Sequence, residues 1–310
     1  MKNCSVFAPA TVANVGSGFD VLGFALCDVG DIVHVKEIST PGLFIESIIG
    51  ANNIPFDPVK NVCTVAAQAL LNCLEVKQEN GYSFTITKKV AAGSGLGSSA
   101  SSSAAAVVAL NELLGSPFSR HDLIPFAMKG EALASGAEHA DNVAPSILGG
   151  FTLIQSYEPL RVVNLHYPEE LVVTVVHPHV EVKTVDSKRI LKKSISLKTA
   201  ITQWANVGGL VAGLAQENFE LIGHSLHDVV AEPTRSMLIP MYEQVKIISR
   251  EMGGLGCSIS GSGPSIFILT DSMEIAKNLA DSLKSLYMKN LISCDVYLSK
   301  INKMGCQVIQ

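Results

Sequence analysis

This sequence of 310 residues has few positively charged residues and no long apolar run. Lys and Arg number 23 against 28 Asp and Glu, which gives a formal net charge of −5. Proteins that bind nucleic acid usually carry a basic patch, so this balance argues against a nucleic-acid partner. No apolar run could span a bilayer, and the N-terminus lacks the basic and apolar regions of a signal peptide. We therefore expect a cytoplasmic protein with no membrane partner.

Several common sequence signatures are also absent. The seven cysteines are odd in number, widely spaced and never arranged as C-x-x-C, which argues against a disulfide framework and a zinc knuckle. No Lys follows Gly97, so the loop G-x-x-x-x-G-K-[ST] is missing, and Ser98 stands where the third Gly of G-x-G-x-x-G belongs. With 47% hydrophobic residues the chain can still bury a large core. Its length predicts two domains or one large one.

A glycine-rich loop that leads into a helix is the first feature with chemical meaning. Residues 82–90, YSFTITKKV, predict a strand, and Gly93 to Gly97 form a loop with little side-chain bulk. The serines that follow can cap a helix, and residues 104–114 predict the helix itself, closed by Gly115. Such a loop presents backbone N–H groups at a helix N-terminus, which favours a phosphate site. The alternative is a flexible turn before a packing helix.

Polar residues cluster in three other places. The segment 9–26 contains Asn14 and Asp20, although a simple hairpin connection would explain both. HADN, residues 139–142, holds more polar groups than a helix cap needs. Arg235 follows a proline, and the alternative for it is an exposed helix residue. A second glycine- and serine-rich turn lies within residues 256–269 and leads into a strand. These segments are candidates for a binding site.

Three segments together resemble the motifs of the GHMP kinases, the small-molecule kinases that include galactokinase, homoserine kinase, mevalonate kinase and phosphomevalonate kinase. They are GSGLGSSAS, SISGSGPSIFIL and PATVANVGSGFDVLGFAL. Within that family, PATVANVGSGFD, HADNVAPSILGG and AEPTR followed by LIP are most similar to homoserine kinases. The resemblance implies a two-domain α+β fold. Residues 1–160 would form an N-terminal ribosomal-protein-S5-like α/β domain that binds ATP, and residues 161–310 a C-terminal ferredoxin-like domain.

The resemblance also implies an activity, namely ATP-dependent phosphorylation of the side-chain hydroxyl of L-homoserine in threonine biosynthesis. ATP and Mg²⁺ would be required, and a homodimer is an option that the sequence leaves open. Two alternatives stay open as well. The chain could be a kinase of the same family for another small alcohol, such as mevalonate or a sugar. It could also be a non-catalytic metabolite-binding regulator with the same fold.

Matching positions give the candidate site residues. The nucleotide would contact Asn61, Ala91, Ala92, Gly93, Ser94, Gly95, Leu96, Gly97, Ser98, Ser99, Ala100 and Ser101. The amino-acid substrate would contact Asn14, Asp20, His139, Asn142, Thr184, Lys188 and Arg235. Magnesium would be held by Ser98 and Glu131, and the catalytic candidates are Asp141 and Asn142.

The chemistry of an amino acid explains part of this assignment. A zwitterion needs a cation for its carboxylate and an acceptor for its ammonium group, which Arg235 and Asp20 would supply. Two positions depart from the family pattern. Ala91 stands where the phosphate loop usually opens with Pro, and Lys188 replaces an arginine, with Arg189 beside it. Lysine keeps the charge but loses the fork geometry, so either Arg189 substitutes for the family arginine or substrate affinity is altered.

Overall fold

The computed structural model of the chain describes residues 2–74, 79–180, 182, 187 and 189–309. Its strands are β1 (Asn3–Ala13), β2 (Leu22–Ile38), β3 (Leu43–Ile49), β4 (Gly81–Thr87), β5 (Phe151–Tyr157), β6 (Leu160–Leu165), β7 (Val172–Pro178), β8 (Gly256–Ile259), β9 (Ile266–Thr270), β10 (Cys294–Lys300) and β11 (Gln307–Val308). Its α-helices are α1 (Val62–Cys73), α2 (Ser98–Leu113), α3 (Arg120–Ser135), α4 (Val143–Leu148), α5 (Leu197–Ala215), α6 (Phe219–Ser225), α7 (Glu232–Arg235), α8 (Tyr242–Glu251) and α9 (Met273–Lys289), and a short 3₁₀ helix spans Ser236–Leu238.

The first sheet is built mainly from the N-terminal half of the chain. Its seven strands include the path β11-β1-β2-β4-β3, and β5 pairs with β2 and with β6. Strand β3 runs parallel to β4, whereas β1 and β4 are antiparallel to β2. Helices α1, α2 and α3 pack against one another and close an apolar core with the sheet. The central helix α2 is Ala-rich and almost entirely buried, because small side chains let it lie close to its neighbours.

The second sheet is antiparallel and has four strands in the order β10-β7-β9-β8. Strand β7 is buried along its whole length, as its run of valines predicts. Helices α8 and α9 contribute Val245, Leu279, Leu283 and Tyr287 to the apolar layer over this sheet.

A third apolar cluster joins the two sheets. Phe24 of β2 contacts Phe151 of β5 and Phe267 of β9, with ring centroids 4.7 and 5.8 Å away. The last strand, β11, returns to pair with β1 in the first sheet. The chain therefore crosses between the two halves more than once. The division at residues 160 and 161 stays a prediction, and β6 begins at that point.

The sequence also predicts an N-cap at Asn61, a capping box of Ser119 with Asp122 and a turn at Pro41-Gly42 between two strands, and the structure confirms the first two. Asn61 caps α1, and its side chain accepts a hydrogen bond from the Cys63 amide. Ser119 and Asp122 form a reciprocal capping box at α3. The connection at Pro41-Gly42 does not join neighbouring strands, however, since β4 lies between β2 and β3. No helix in the part of the chain that the structure describes is long and apolar enough to cross a membrane.

One expectation about the glycine loop is wrong. The serines do not cap α2, which begins at Ser98 rather than at Ala104, and its N-cap is Gly97 with φ at 64°. A Cβ at Gly97 would lie 2.1 Å from the Thr11 hydroxyl and 2.8 Å from the Asn142 side-chain oxygen. The N-cap therefore has to be glycine for reasons of both backbone conformation and space.

Candidate active site

A single large cleft of about 1330 Å³ brings together most of the residues singled out from the sequence. Those that line it are Asn14, Asp20, Asn61, Ala91, Ala92, Gly93, Ser94, Gly95, Gly97, Ser98, Ser99, Glu131, His139, Asp141, Asn142 and Arg235. The side chains of Leu96, Ala100 and Ser101 are buried instead, so any nucleotide contact by them stays a prediction that rests on their backbone. Thr184 and Lys188 lie outside the described residues.

The glycine loop is fixed from both halves of the chain. On the N-terminal side, the Thr11 amide donates to the Leu96 carbonyl at 3.1 Å. On the C-terminal side, the Ser265 amide donates to the Ser94 carbonyl at 3.2 Å, and the Ser260 hydroxyl donates to the Gly95 carbonyl at 2.7 Å. The first amide groups of α2 have no carbonyl partner within the helix. They lie at the positive end of the helix dipole, where Ser98 and Ser99 line the cleft. This is a site suited to a phosphate group.

A carboxylate and a hydroxyl meet beside this loop. The Ser99 hydroxyl donates to the Glu131 carboxylate at 2.5 Å, and only 8% of the Glu131 surface is exposed. The Ser98 hydroxyl donates instead to the Val90 carbonyl at 2.9 Å. Oxygen ligands of this kind suit Mg²⁺, which usually takes one or two protein carboxylates and completes its shell with water and phosphate. The hydroxyl that contacts Glu131 beside the loop is therefore that of Ser99, and the metal contact expected of Ser98 stays a prediction.

A buried ion pair lies beneath the first turn of α2. Lys88 and Asp31 form a salt bridge with side chains 4% and 0% exposed. Lys88 also donates to the Ser98 carbonyl at 2.7 Å and to the Ser102 hydroxyl at 2.9 Å, and that hydroxyl donates to Asp31 at 2.9 Å. Asp31 in addition accepts from the backbone amide of Lys89 at 2.9 Å. The network thus ties α2, β2 and the end of β4 into one unit.

Asn61 lines the cleft near the other end of the loop. Its side-chain oxygen accepts from the Cys63 amide and so caps α1, and its side-chain NH₂ group donates to the Pro55 carbonyl at 2.8 Å. The side chain is fully buried, and both of its polar ends are used within the protein. It therefore shapes the wall of the predicted nucleoside pocket and holds the segment that contains Pro55.

Arg235 is buried and not an exposed helix residue, since only 3% of its surface is accessible. Its Nη1 donates to the Gly261 carbonyl at 3.0 Å, and its guanidinium lies over the Phe19 ring at 5.1 Å from the centroid. Burial lowers the pKa of Arg235, and the carboxylates of Asp20, Asp228 and Asp141 oppose that effect. A guanidinium does not lose its proton in proteins, so the site holds a fixed positive charge.

The N-terminal segment reaches the same place. The Asn14 amide donates to the Gly261 carbonyl at 2.8 Å, and the Asn14 oxygen accepts from the Asp20 backbone amide at 3.0 Å. The Asp20 carboxylate lies 3.7 Å from the His139 ring nitrogen Nδ1. Asn14, Asp20, His139 and Arg235 therefore form one wall of the cleft, with acceptors and a cation facing the same space.

The HADN segment joins this wall to the glycine loop. The Asn142 side-chain oxygen accepts from the Thr11 hydroxyl at 2.7 Å, and the Asn142 backbone amide donates to the Asp141 carboxylate at 3.1 Å. Asp141 is buried, with 4% of its surface exposed. The Tyr157 hydroxyl, on β5, donates to the Asp20 carbonyl at 2.9 Å and accepts from the Ala140 amide at 3.3 Å. One hydroxyl thus holds two segments of the site together.

Comparison with known proteins identifies the family to which this chain belongs. The model for the N-terminal domain of GHMP kinases matches residues 61–150, and the model for their C-terminal domain matches residues 210–289. Curated homoserine kinases of Chloroherpeton thalassium and Chlorobaculum tepidum are 44% and 43% identical, and the alignments cover all of this chain and at least 99% of each relative. The chain belongs to the GHMP kinases, in their homoserine kinase group.

A solved structure agrees with this assignment. The crystal structure of homoserine kinase from Cytophaga hutchinsonii superposes with a TM-score of 0.96 at 50% identity, and the match covers 100% of this chain and 98% of that one. The family and the two-domain α+β fold expected from the three motifs are therefore confirmed. What each residue does within the GHMP kinase site stays a prediction at this stage.

Sequence reasoning missed some residues of this GHMP kinase site. Lys88 was read only as the end of a strand, because nothing near it in sequence marks its partner Asp31, which lies 57 positions away. Two adjacent serines in a sequence do not show which of them contacts Glu131, since that contact depends on which face of α2 meets α3. Arg189, beside the position of the family arginine, is exposed and is not among the residues that line the cleft.

The buried ion pair gives a test of what holds the loop. Replacing Lys88 with Met should lower the free energy of unfolding by about 3–5 kcal/mol, because the Asp31 carboxylate is left buried without its cation. The double change Lys88→Met with Asp31→Asn should recover a large part of that loss, since no buried charge remains. Denaturant unfolding of the three proteins measures the effect, and equal losses in the single and double variants would contradict it.

Proposed function

We propose that this protein transfers the terminal phosphoryl group of ATP to the side-chain hydroxyl of L-homoserine and forms O-phospho-L-homoserine for threonine biosynthesis. The observation that carries the proposal is the cleft itself. A phosphate-type loop at one end and the buried Arg235 with Asp20 at the other line a single space. A kinase for an amino acid needs both ends, and the homoserine kinase relatives cover the whole chain.

The nucleotide end acts by positioning. The amide groups at the start of α2 would hold the phosphates, and the dipole of a helix of 16 residues favours their negative charge. Phosphoryl transfer needs little covalent chemistry from the protein, so placing the phosphates and stabilising their charge supply most of the catalysis. The hydrogen bonds to the loop carbonyls keep this cradle in place before ATP binds.

Mg²⁺ fits the residues beside the loop. Glu131 supplies one carboxylate and Ser99 one hydroxyl, and both line the cleft next to the phosphate site. The described residues contain no group of three His, Cys, Asp or Glu side chains that would hold a metal by themselves. That donor set suits an ion that arrives with a nucleotide and keeps phosphate and water ligands. When bound, the ion would neutralise charge on the transferred group.

The amino-acid end recognises a zwitterion. The Arg235 guanidinium would donate two hydrogen bonds to the substrate carboxylate, and the Asp20 carboxylate would accept from the ammonium group, with Asn14 and His139 beside it. Opposite charges on one wall discriminate between substrates. A substrate that lacks the carboxylate leaves the buried Arg235 guanidinium unpaired, and one that lacks the ammonium group loses the contact with Asp20, whose side chain is 35% exposed. Mevalonate and sugars carry no ammonium group, so they use this wall poorly.

Removal of the hydroxyl proton is the least demanding step. Asp141 is the only carboxylate beside Asn142 in the HADN segment, and it lines the cleft. A transition state with little bonding to the attacking oxygen does not require a strong base. We therefore assign Asn142 a role in orienting the hydroxyl, while Asp141 serves as the nearest acceptor for its proton.

A homodimer also stays a prediction, which a measurement of molar mass in solution would test.

A substrate panel tests the proposed activity. Purified protein with Mg²⁺ and ATP should release ADP with L-homoserine, and much more slowly with L-serine, L-threonine, mevalonate or galactose. A coupled ADP assay measures the rates, and phosphorus NMR identifies the product as a phosphate ester. Turnover of mevalonate or galactose in preference to homoserine would point to another kinase of the family. No turnover with any alcohol would favour the non-catalytic regulator.

Glu131 gives a test of the metal assignment. Glu131→Gln should lower kcat at least tenfold and raise the Mg²⁺ concentration needed for half-maximal rate, because the ion loses the carboxylate proposed to hold it (about 1.4 kcal/mol corresponds to tenfold). Ser99→Ala should act in the same direction but more weakly, and Ser98→Ala should leave the Mg²⁺ dependence unchanged. Glu112→Gln, an exposed change at the other end of α2, is the control. An Mg²⁺ dependence that responds to Ser98 and not to Ser99 would reverse the assignment.

Arg235 gives a test of the substrate wall. Arg235→Leu should raise the KM for homoserine by about 10- to 100-fold, as expected for the loss of a charge-assisted hydrogen bond worth about 1.5–3 kcal/mol. The KM for ATP should stay close to its original value. Steady-state rates with each substrate varied in turn measure both constants, and Arg250→Leu on the exposed side of α8 is the control. Similar increases in both KM values would remove Arg235 from the amino-acid wall.

A further inference from the structure

Residues 14–20, here called the substrate loop, adopt a conformation that their own sequence does not favour. Asn14, Val15 and Asp20 have φ values of 69°, 44° and 58°, in the left-handed region that asparagine and aspartate tolerate but a β-branched valine rarely occupies. Each such residue costs on the order of 1–3 kcal/mol and persists only where the surrounding structure fixes it. The contacts that hold this loop therefore decide where the Asp20 carboxylate lies.

The turn that carries Arg235 is also held by a specific group. Helix α7 is a single turn of four residues, too short to be stable by itself. The Asp228 carboxylate accepts hydrogen bonds from the backbone amides of Val230 at 2.8 Å, Ala231 at 3.1 Å and Glu232 at 2.8 Å. Asp228 is itself buried, with 4% of its surface exposed. The position of Arg235 thus depends on the position of Asp228.

Gln203 of α5 joins these two segments. Its amide nitrogen donates to the Ser17 carbonyl of the substrate loop at 2.7 Å and to the Asp228 carboxylate at 2.9 Å. Its carbonyl oxygen accepts from the Val229 amide at 2.9 Å. One side chain therefore contacts the loop that bears Asp20 and the group that fixes the turn bearing Arg235, although Ser17 and Gln203 are 186 positions apart.

Apolar packing does not account for this part of α5. Its buried residues, Leu210, Gly213 and Leu214, all lie in the C-terminal half of the helix. In the N-terminal half, Leu197, Ile201 and Trp204 are 70%, 49% and 57% exposed. The hydrogen bonds of Gln203 thus anchor an otherwise exposed stretch of helix to the back of the amino-acid wall. Gln203 itself is not among the residues that line the cleft.

We propose that Gln203 is a positioning residue, which sets the separation between Asp20 and Arg235 and so determines the affinity for the amino-acid substrate. The inference rests on the proposed function. Gln203 touches neither ATP nor the substrate, and it acts through the Ser17 carbonyl on one side and Asp228 on the other. Because the substrate carries its two charges at a fixed distance, a small change in this separation weakens one of the two contacts.

The test uses an exchange of amide for carboxylate on the same helix. Gln203→Glu removes the donor to Ser17 and places a second carboxylate against Asp228. Asn206→Asp, one turn further along, is the matched control, because the Asn206 amide donates to the neighbouring His227 carbonyl at 2.7 Å without contacting the substrate loop. Gln203→Met removes the hydrogen bonds without adding charge and serves if the glutamate variant does not fold.

Steady-state kinetics of the full chain give the readout. Both Gln203 variants should raise the KM for homoserine by about 3- to 10-fold, the range for one or two lost hydrogen bonds. The KM for ATP should change little in both Gln203 variants, and Asn206→Asp should stay within about twofold in both KM values, as surface changes do. The preference for homoserine over the amino alcohol that lacks its carboxylate should fall only in the Gln203 variants.

Three results would overturn the inference. An unchanged KM for homoserine in both Gln203 variants would mean that the loop and α7 hold their positions without it. Equal increases in both KM values together with a lower unfolding midpoint would mean that Gln203 only stabilises the fold. A response to Asn206→Asp as large as that to Gln203→Glu would mean that added charge on α5 is the cause. In each case the unmutated protein still phosphorylates homoserine, whereas failure of the proposed function would appear as no such turnover.

Discussion

The close contact of the glycine loop with both halves of the chain is the constraint on which the site depends. Gly97 approaches Thr11 and Asn142, and a Cβ at Gly95 would lie 2.6 Å from the Ser260 carbonyl oxygen and 2.7 Å from that of Gly263. Gly95 and Gly97 therefore lie between β1 and the second glycine turn with no room for a side chain at either position. Because the same loop precedes the N-terminus of α2, the proposed phosphate site and the joining of the two halves depend on one set of contacts.

The charges of the cleft are arranged around that loop. Lys88 and Asp31 neutralise each other beneath α2, so the positive end of the helix is left to act on a bound anion. At the other end the buried cation Arg235 faces Asp20, and Asp228 and Asp141 also raise its pKa against the effect of burial. Burying a charge is costly unless a partner is present. The free protein supplies those partners itself, and a zwitterionic substrate would replace part of their interaction in the complex.

How far the sequence could predict this site depends on how many positions along the chain separate the groups that interact. The N-cap at Asn61, the capping box of Ser119 with Asp122 and the glycine after α2 are signals within a few residues, and each was predicted correctly. The wrong N-cap of α2 arose because serine is a good cap in general, whereas here Thr11 and Asn142 leave space only for glycine. Contacts such as Lys88 with Asp31 and Gln203 with Ser17 join residues far apart in sequence, so only the folded chain shows them.

The strained substrate loop fits the demands of the reaction. A loose phosphoryl transfer gains little from a strong base and much from correct placement of the acceptor hydroxyl. The amino-acid wall has many hydrogen bonds that fix the backbone, from Asn14 to Gly261, from Tyr157 to Asp20 and from Asp228 to α7. Burial together with the charges of Asp141 and Asp20 raises the pKa of Tyr157, so that its hydroxyl stays a donor at any physiological pH. The conformational cost of Asn14, Val15 and Asp20 is thus offset within the protein before substrate arrives, and binding homoserine need not supply it.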